Sequence, residues 1–265
     1  MFLSLKQSEK QFFNPRYFCN AFKDWEGNPT NVYEQRDVDE FLNMFMDRLE
    51  TLTKSTIHEN YLKNTFGGYL SNEFICKDCP HYSEREEPFL AVSLQVKNKK
   101  TIEESLASFV EGEILEGQNA YLCEQCNKKV TAIKRICLKK LPNHLIFVLK
   151  RFEFDYDTMS KVKINEYCEF PTKINLEKYS QFGLRKKEKG GVFEEEETGF
   201  SEGYFDYELK GVVIHMGIAD SGHYYSLIQD REKVSEDRWY EFNDTFVSYF
   251  DPRNIPNEAF GGEEK

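Results

Sequence analysis

The chain lacks any apolar run near the roughly 18 residues that a membrane-spanning helix requires, so no crossing by a helix, and no membrane partner, is expected. It lacks positive charge to spare. Lys and Arg number 35 against 46 Asp and Glu, a net −11, which argues against nucleic acid as a main partner and suits a basic one. No secretory leader is expected, because Met1-Phe-Leu-Ser-Leu-Lys6 is far too short for one. A cytoplasmic or nuclear location is therefore expected. In such a reducing setting the seven cysteines point to metal before disulfides.

Hydrophobic residues make up 40% and charged residues 31%, the balance of a soluble globular protein. At 265 residues there is room for one large or two medium domains. Aromatics are abundant, with 23 Phe and 15 Tyr, which favours strands over helical bundles.

Taken in order, residues 1 to 33 read as one or two short helices ending at the Gly27-Asn-Pro29 turn. Cys19 sits there among apolar neighbours and reads as an ordinary, partly buried thiol. A helix follows from Glu34 to about Lys54, with Phe41, Leu42, Phe45, Leu49 and Leu52 on one face. Asp37, Asp39 and Glu40 lie at its start, where negative charge suits the helix dipole. That cluster is either only a well-started helix or a polar group ready to bind a substrate backbone. Strands are expected at 69–75, 89–96, 131–138, 145–149 (apolar on both faces), 204–216, 223–229 and 238–242, with Thr101 capping a helix to Val110. Residues 183 to 203, basic and then acidic, read as a loop insertion without chemistry.

Two motifs carry chemistry. Cys76-Lys-Asp-Cys79 and Cys123-Glu-Gln-Cys126 are separated by 43 intervening residues. Two such pairs supply four thiolates, the closed tetrahedral set of a structural zinc site. His81 lies nearby as a spare ligand. A zinc-ribbon nucleic-acid binder would also use such pairs, but the acidic balance and the lack of a basic, aromatic-interleaved face set it aside. The second motif runs from Gly211 to Ser226 and reads as a strand, an Asp220-Ser221-Gly222 turn, and a strand opening on His223. Gly222 has no Cβ, so a substrate backbone could lie against it. Downstream, Trp239-Tyr-Glu-Phe-Asn-Asp244 offers Asn243 or Asp244 to accept the Nδ1 proton of His223, leaving Nε2 as a base.

Together these residues resemble the ubiquitin-specific proteases. Gln35-x-Asp37-x-x-Glu40 is similar to that family's Gln/Asp box, although Glu34 and Arg36 stand where the family often has Gln. The Cys-x-x-Cys pairs resemble its finger knuckles, Leu149-Lys-Arg-Phe152 a palm strand, and Ser221-Gly-His-Tyr-Tyr225 with Trp239 to Asp244 its His box. Leu115 to Cys123 and the terminal Phe260-Gly-Gly resemble the fat-facets-like branch. The resemblance implies an α+β, papain-like right hand: a thumb over 1–66, fingers with a zinc ribbon over 67–130, and a mainly antiparallel palm over 131–258. It implies cysteine-dependent cleavage after the C-terminal Gly-Gly of ubiquitin, with ubiquitin and ubiquitinated proteins as partners and one structural zinc ion. His223 becomes the base, and Asn243 its orienting residue with Asp244 as second candidate. Gln35, Asp37, Gly222 and Tyr224 become substrate-binding residues.

The family's Asn-x-Gly-Asn-Thr-Cys box, which carries the nucleophile, is not in this sequence, and neither is the usual last palm strand, Ala-Tyr-x-Leu-x-Tyr. A domain shortened at both ends is therefore expected. Its competing reading is a catalytically dead scaffold that binds ubiquitin.

Overall fold

Aromatic and β-branched residues fall in short alternating runs, and apart from one parallel pair the strands they form pair antiparallel. A computed structural model describes residues 2–10, 12–24, 26–31, 36–188, 199–232 and 237–262. The chain forms two compact units. One joins Met1–Leu62 to Gly211–Pro252, and the other joins Lys63–Lys210 to Arg253–Lys265.

In the second unit the strand Gly68–Cys76 lies between Tyr82–Phe89 and Ala132–Lys140, with Glu113–Leu115 on the far side of Ala132–Lys140. The Tyr82–Phe89 strand is new relative to the sequence reading. Its Ser-Glu-Arg-Glu-Glu run carries no apolar alternation, yet it pairs in full register from Gly68↔Phe89 to Ile75↔Tyr82. The run expected over 89–96 breaks at the bend Leu90–Ala91, and only Val92–Gln95 is strand. It pairs in parallel with Phe147–Lys150. Phe147, Val148 and Leu149 are only half-buried, not covered on both faces as their apolar run suggested. Leu94, Leu106, Leu138 and Leu176 are fully buried at the centre of the core. The helix Ile102–Phe109 joins that core, and the Thr101 hydroxyl accepts the Glu104 N–H at its start.

The loop expected over 183–203 is corrected for its first part. Gln181–Glu188 is helical, because its side chains satisfy a buried carboxylate. Glu73 is fully enclosed in the sheet. It receives Arg135 Nε at 2.6 Å, Gln181 Nε2 at 2.7 Å and Arg185 Nη2 at 3.1 Å, together with the Tyr82 hydroxyl at 2.6 Å. Burial raises the carboxyl's proton affinity, but hydrogen bonds from Tyr82, Gln181 and Arg135 outweigh it, and the pKa falls below its ordinary value. The expected strand 204–216 also divides, into Asp206–Glu208 in this unit and Gly211–Ile218 in the other. Residues 167–171 form a single bridge at Glu169.

The first unit holds a four-stranded meander: Gly211–Ile218, Ser221–Gln229, Trp239–Asn243 and Phe246–Phe250, in that order. The last strand escaped the sequence reading. Leu227, Trp239 and Phe250 are buried on one face of the meander. The helix Val38–Thr53 belongs to the same unit. Its burial is carried by Met44 and Met46, while Leu52 is exposed, contrary to the predicted stripe. Phe41 stacks on Phe45 at 5.9 Å and packs at a tilt against Phe22 at 5.2 Å, and Arg48 donates to the Asp24 carbonyl at 2.8 Å.

Candidate functional site

The histidine strand is positioned by a tight hairpin. Gly217↔Gly222 and Ile218↔Ser221 pair around the turn Ala219–Asp220, so the turn lies one residue earlier than the sequence suggested. Gly222 is required here. A Cβ on it would meet the Met216 carbonyl at 2.1 Å and His215 Nε2 at 2.4 Å. The space left by its missing side chain is thus filled by the imidazole of the neighbouring strand. His215 in turn packs on Tyr224, ring centroids 4.7 Å apart.

His223 points to the other face of its strand and is half-buried. Its Nε2 lies 2.7 Å from Asn243 Oδ1. This corrects the predicted orientation: the orienting side chain takes Nε2, and Nδ1 is the nitrogen left for chemistry. Asp244 Oδ2 is 4.0 Å from the same Nε2, outside hydrogen-bond range. Asp244 opens the two-residue turn between Trp239–Asn243 and Phe246–Phe250 with φ +51, a left-handed conformation that Asp tolerates. Its side chain is exposed, and its first task is the turn.

Asp37 is the N-cap of the Val38–Thr53 helix, and its carboxylate accepts the Asp39 N–H at 2.8 Å. Burial, then the Asp37 charge, push the Tyr224 phenol upward, while the Val38 backbone acts the other way. The helix start and the Ser221–Gln229 strand belong to one unit. Gln35 lies outside the described residues.

The cysteine pairs lie in the other unit. Cys76 ends the Gly68–Cys76 strand, and Cys123 ends a short strand that pairs with Lys128–Val130. The knuckles are fastened by Lys77 N–H to the Thr131 carbonyl at 2.9 Å, by Thr131 N–H to Asp78 Oδ2 at 2.9 Å, and by Phe74 stacked on Tyr121 at 4.9 Å. The sulfurs of Cys76, Cys79 and Cys123 lie within 4.8 Å of one another. Cys79 Sγ and Cys123 Sγ are 3.7 Å apart, and all four are free thiols. The Cys79 thiol, then burial, push Cys126 up to about 11, and it stands beside the cluster, outside the group of three sulfurs. A tetrahedral ion with sulfur ligands at about 2.3 Å separates them by about 3.8 Å, so the spacing fits a metal. Burial, then the neighbouring thiols, push Cys76 up to about 12. Burial also acts on Cys123, but the backbone N–H groups of Cys126 and Gln125, with the Cys79 thiol, bring it down. The cluster of Cys76, Cys79 and Cys123 could hold a metal ion. His81 contributes its backbone carbonyl, to Cys76 N–H at 3.1 Å, and is not part of the sulfur cluster.

The sequence profile of the family described as ubiquitin carboxyl-terminal hydrolase matches residues 1–260. The chain belongs to that family. Among its relatives, mouse ubiquitin carboxyl-terminal hydrolase 24 is 39% identical over 276 residues, with 99% of this chain and 10% of that protein covered. The probable ubiquitin carboxyl-terminal hydrolase FAF of Drosophila melanogaster is 38% identical over 267 residues, covering 99% of this chain and 10% of that protein. The expected fat-facets-like kinship holds. This family member spans about a tenth of the length of the curated relatives it matches. A solved structure of the SAGA Ubp8/Sgf11/Sus1/Sgf73 DUB module bound to ubiquitin aldehyde matches it with TM-score 0.71 and 29% identity, over 86% of this chain and 48% of that one. The family member therefore has the α+β fold of the ubiquitin-specific proteases, with mainly antiparallel sheets.

Proposed function

We propose that this chain forms the base-bearing part of a deubiquitinase that hydrolyses the peptide or isopeptide bond after the C-terminal Gly-Gly of ubiquitin. The observation that carries the reading is the 2.7 Å pair between His223 Nε2 and Asn243 Oδ1. It fixes the ring and presents Nδ1 as general base to a cysteine thiol. Nδ1 takes the thiol proton, the thiolate attacks the glycine carbonyl, and the imidazolium returns the proton to the leaving amine. Water then cleaves the thioester with Nδ1 again as base. Family membership and a solved relative bound to ubiquitin aldehyde support this substrate. Asp37 and Tyr224, with Gln35 and Gly222, are proposed to line the path of the tail. The thiol belongs to a Cys box, and no such box occurs in residues 1–265. The reaction is proposed for the protein in which that box accompanies this chain, acting on ubiquitinated proteins in the cytoplasm or nucleus.

Cys76, Cys79, Cys123 and Cys126 are proposed to hold one zinc ion. Bound there, zinc supplies a closed structural crosslink and no catalysis.

The deciding experiment compares this chain alone with a longer protein that includes a Cys box, using a ubiquitin C-terminal fluorogenic amide and ubiquitin vinyl sulfone. Turnover and labelling by the longer protein are expected, with kcat/KM lowered about 10²- to 10⁴-fold by H223A or N243A. A longer protein that binds ubiquitin saturably but neither turns over nor labels would overturn the enzyme reading in favour of a ubiquitin-binding scaffold.

A further inference from the structure

Asn243 raises a problem that an aspartate at the same place would not. Its amide presents an oxygen on one side and an NH2 group on the other, in nearly the same envelope. Only the oxygen can accept a proton from His223 Nε2. With the amide reversed, two donors compete, and the imidazole proton is driven to Nδ1, where it blocks the base.

Glu241 resolves this. It lies two residues before Asn243 on the same strand, so both side chains project from one face of the sheet. Its Oε1 is 3.1 Å from Asn243 Nδ2. An ionised carboxylate has no proton to give, so the atom facing it must be the NH2 group. The oxygen is then left for His223, at 2.7 Å. Both Glu241 and Asn243 are half-buried, which limits competition from water. Asp244, at 4.0 Å from Nε2, does not duplicate the contact.

We infer that Glu241 is a positioning residue that, through the amide of Asn243, holds His223 as its Nε2–H tautomer with Nδ1 open as the base. The inference rests on the reading of His223 and Asn243 as base and orienting residue. It assigns a role to a residue in which that reading had no part. It also gives a sign rule. Where position 243 is a carboxylate, the orientation needs no support, and Glu241 becomes a like charge beside it.

The test is a cycle of E241A, N243D and the double variant, with E241Q as a same-shape control that retains an acceptor oxygen. The tautomer of His223 is read by long-range ¹H–¹⁵N correlation on the labelled 265-residue chain, at roughly pH 8.5, where an ordinary imidazole is neutral. The wild type is expected as Nε2–H, E241A as a tautomer mixture, and E241Q near the wild type. In the longer protein with its Cys box, E241A should lower kcat/KM about tenfold with Asn at 243. With N243D it should have no effect or a favourable one. An unchanged tautomer in E241A, or the same loss in both backgrounds, would overturn the inference. The tautomer needs no turnover, so failure of the enzyme reading would leave this result intact and separately visible.

Discussion

Glu73 and Arg135 meet at 2.6 Å with 0% and 6% of their side chains exposed. Each is the other's means of being buried. The carboxylate also carries Gln181, Arg185 and Tyr82, so the helix Gln181–Glu188 is held to the sheet by a network with the acid at its centre.

Replacing Glu73 by Ala is expected to destabilise the chain by about 1.5–3 kcal/mol, because Arg135 Nε, Gln181 and Tyr82 lose a buried acceptor while Arg135 keeps only its pair with the half-exposed Glu188. Chemical denaturation measures this directly. A loss under about 1 kcal/mol would mean that the pair contributes no more than an exposed one.

The same network sets an acid limit. Glu73 and Glu84 both titrate below the ordinary 4.5 in the folded chain, Glu84 at about 2. In each, burial is outweighed by hydrogen bonds, chiefly from Tyr82, Gln181 and Arg135 at Glu73 and from Lys139 and Gln181 at Glu84. The folded state binds fewer protons there, so the stabilisation is full above about pH 4.5 and is lost as pH falls through the folded values, toward about 2 for Glu84. Stability followed from pH 6 to pH 2 should therefore fall less steeply in E84Q than in wild type. Equal slopes would contradict the assignment.

Gly222→Ala should act on His223 without touching it. Its Cβ would fall 2.1 Å from a backbone oxygen and 2.4 Å from the His215 ring. A loss of about 1–3 kcal/mol or more is expected from overpacking, together with altered chemical shifts at His215 and His223. A variant as stable as wild type, with unmoved histidine signals, would show that the hairpin yields freely.

Metal analysis of the purified chain should find one zinc ion, and a strong chelator should unfold the cysteine unit. Zinc at such sites contributes on the order of 10 kcal/mol. Cys126→Ser is the informative variant, since Cys126 lies outside the tightest sulfur group. Undiminished zinc affinity in that variant would remove it from the ligand set.

Asp37→Ala should weaken the helix start by about 1 kcal/mol, whereas Asp37→Asn retains a capping oxygen and should restore stability. If Asp37 also binds the ubiquitin tail by its charge, the Asn variant will keep the stability and still raise KM. Recovery of both would reduce Asp37 to a cap.

Residue types with one structural use were legible in the sequence. The Thr101 cap stands where its chemistry placed it, three of the four paired cysteines gather as a cluster, and Asn243 meets His223, although at Nε2 in place of Nδ1. What was illegible depended on partners far along the chain. Ser83 to Glu87 looks like a solvated run until Asn72 and Lys139 receive its acids, Glu87 and Glu84. Residues 183–188 look like a loop until Glu73 is seen to need Arg185. The choice between Nδ1 and Nε2 turns on the direction from which Asn243 approaches, and sequence spacing does not contain that. Glu241 was passed over for the same reason: its role exists only because Asn243 is an amide.

The division of the chain also has a consequence in time. The unit carrying His223 is assembled from Met1–Leu62 and Gly211–Pro252, with the segment between them given to the other unit. During synthesis that intervening segment leaves the ribosome before any strand of the meander exists. The cysteine knuckles are complete once Cys126 has emerged, whereas His223 and Asn243 follow later in the chain. The hydrogen bond between His223 and Asn243 therefore becomes available only after the knuckles, and metal capture can precede it.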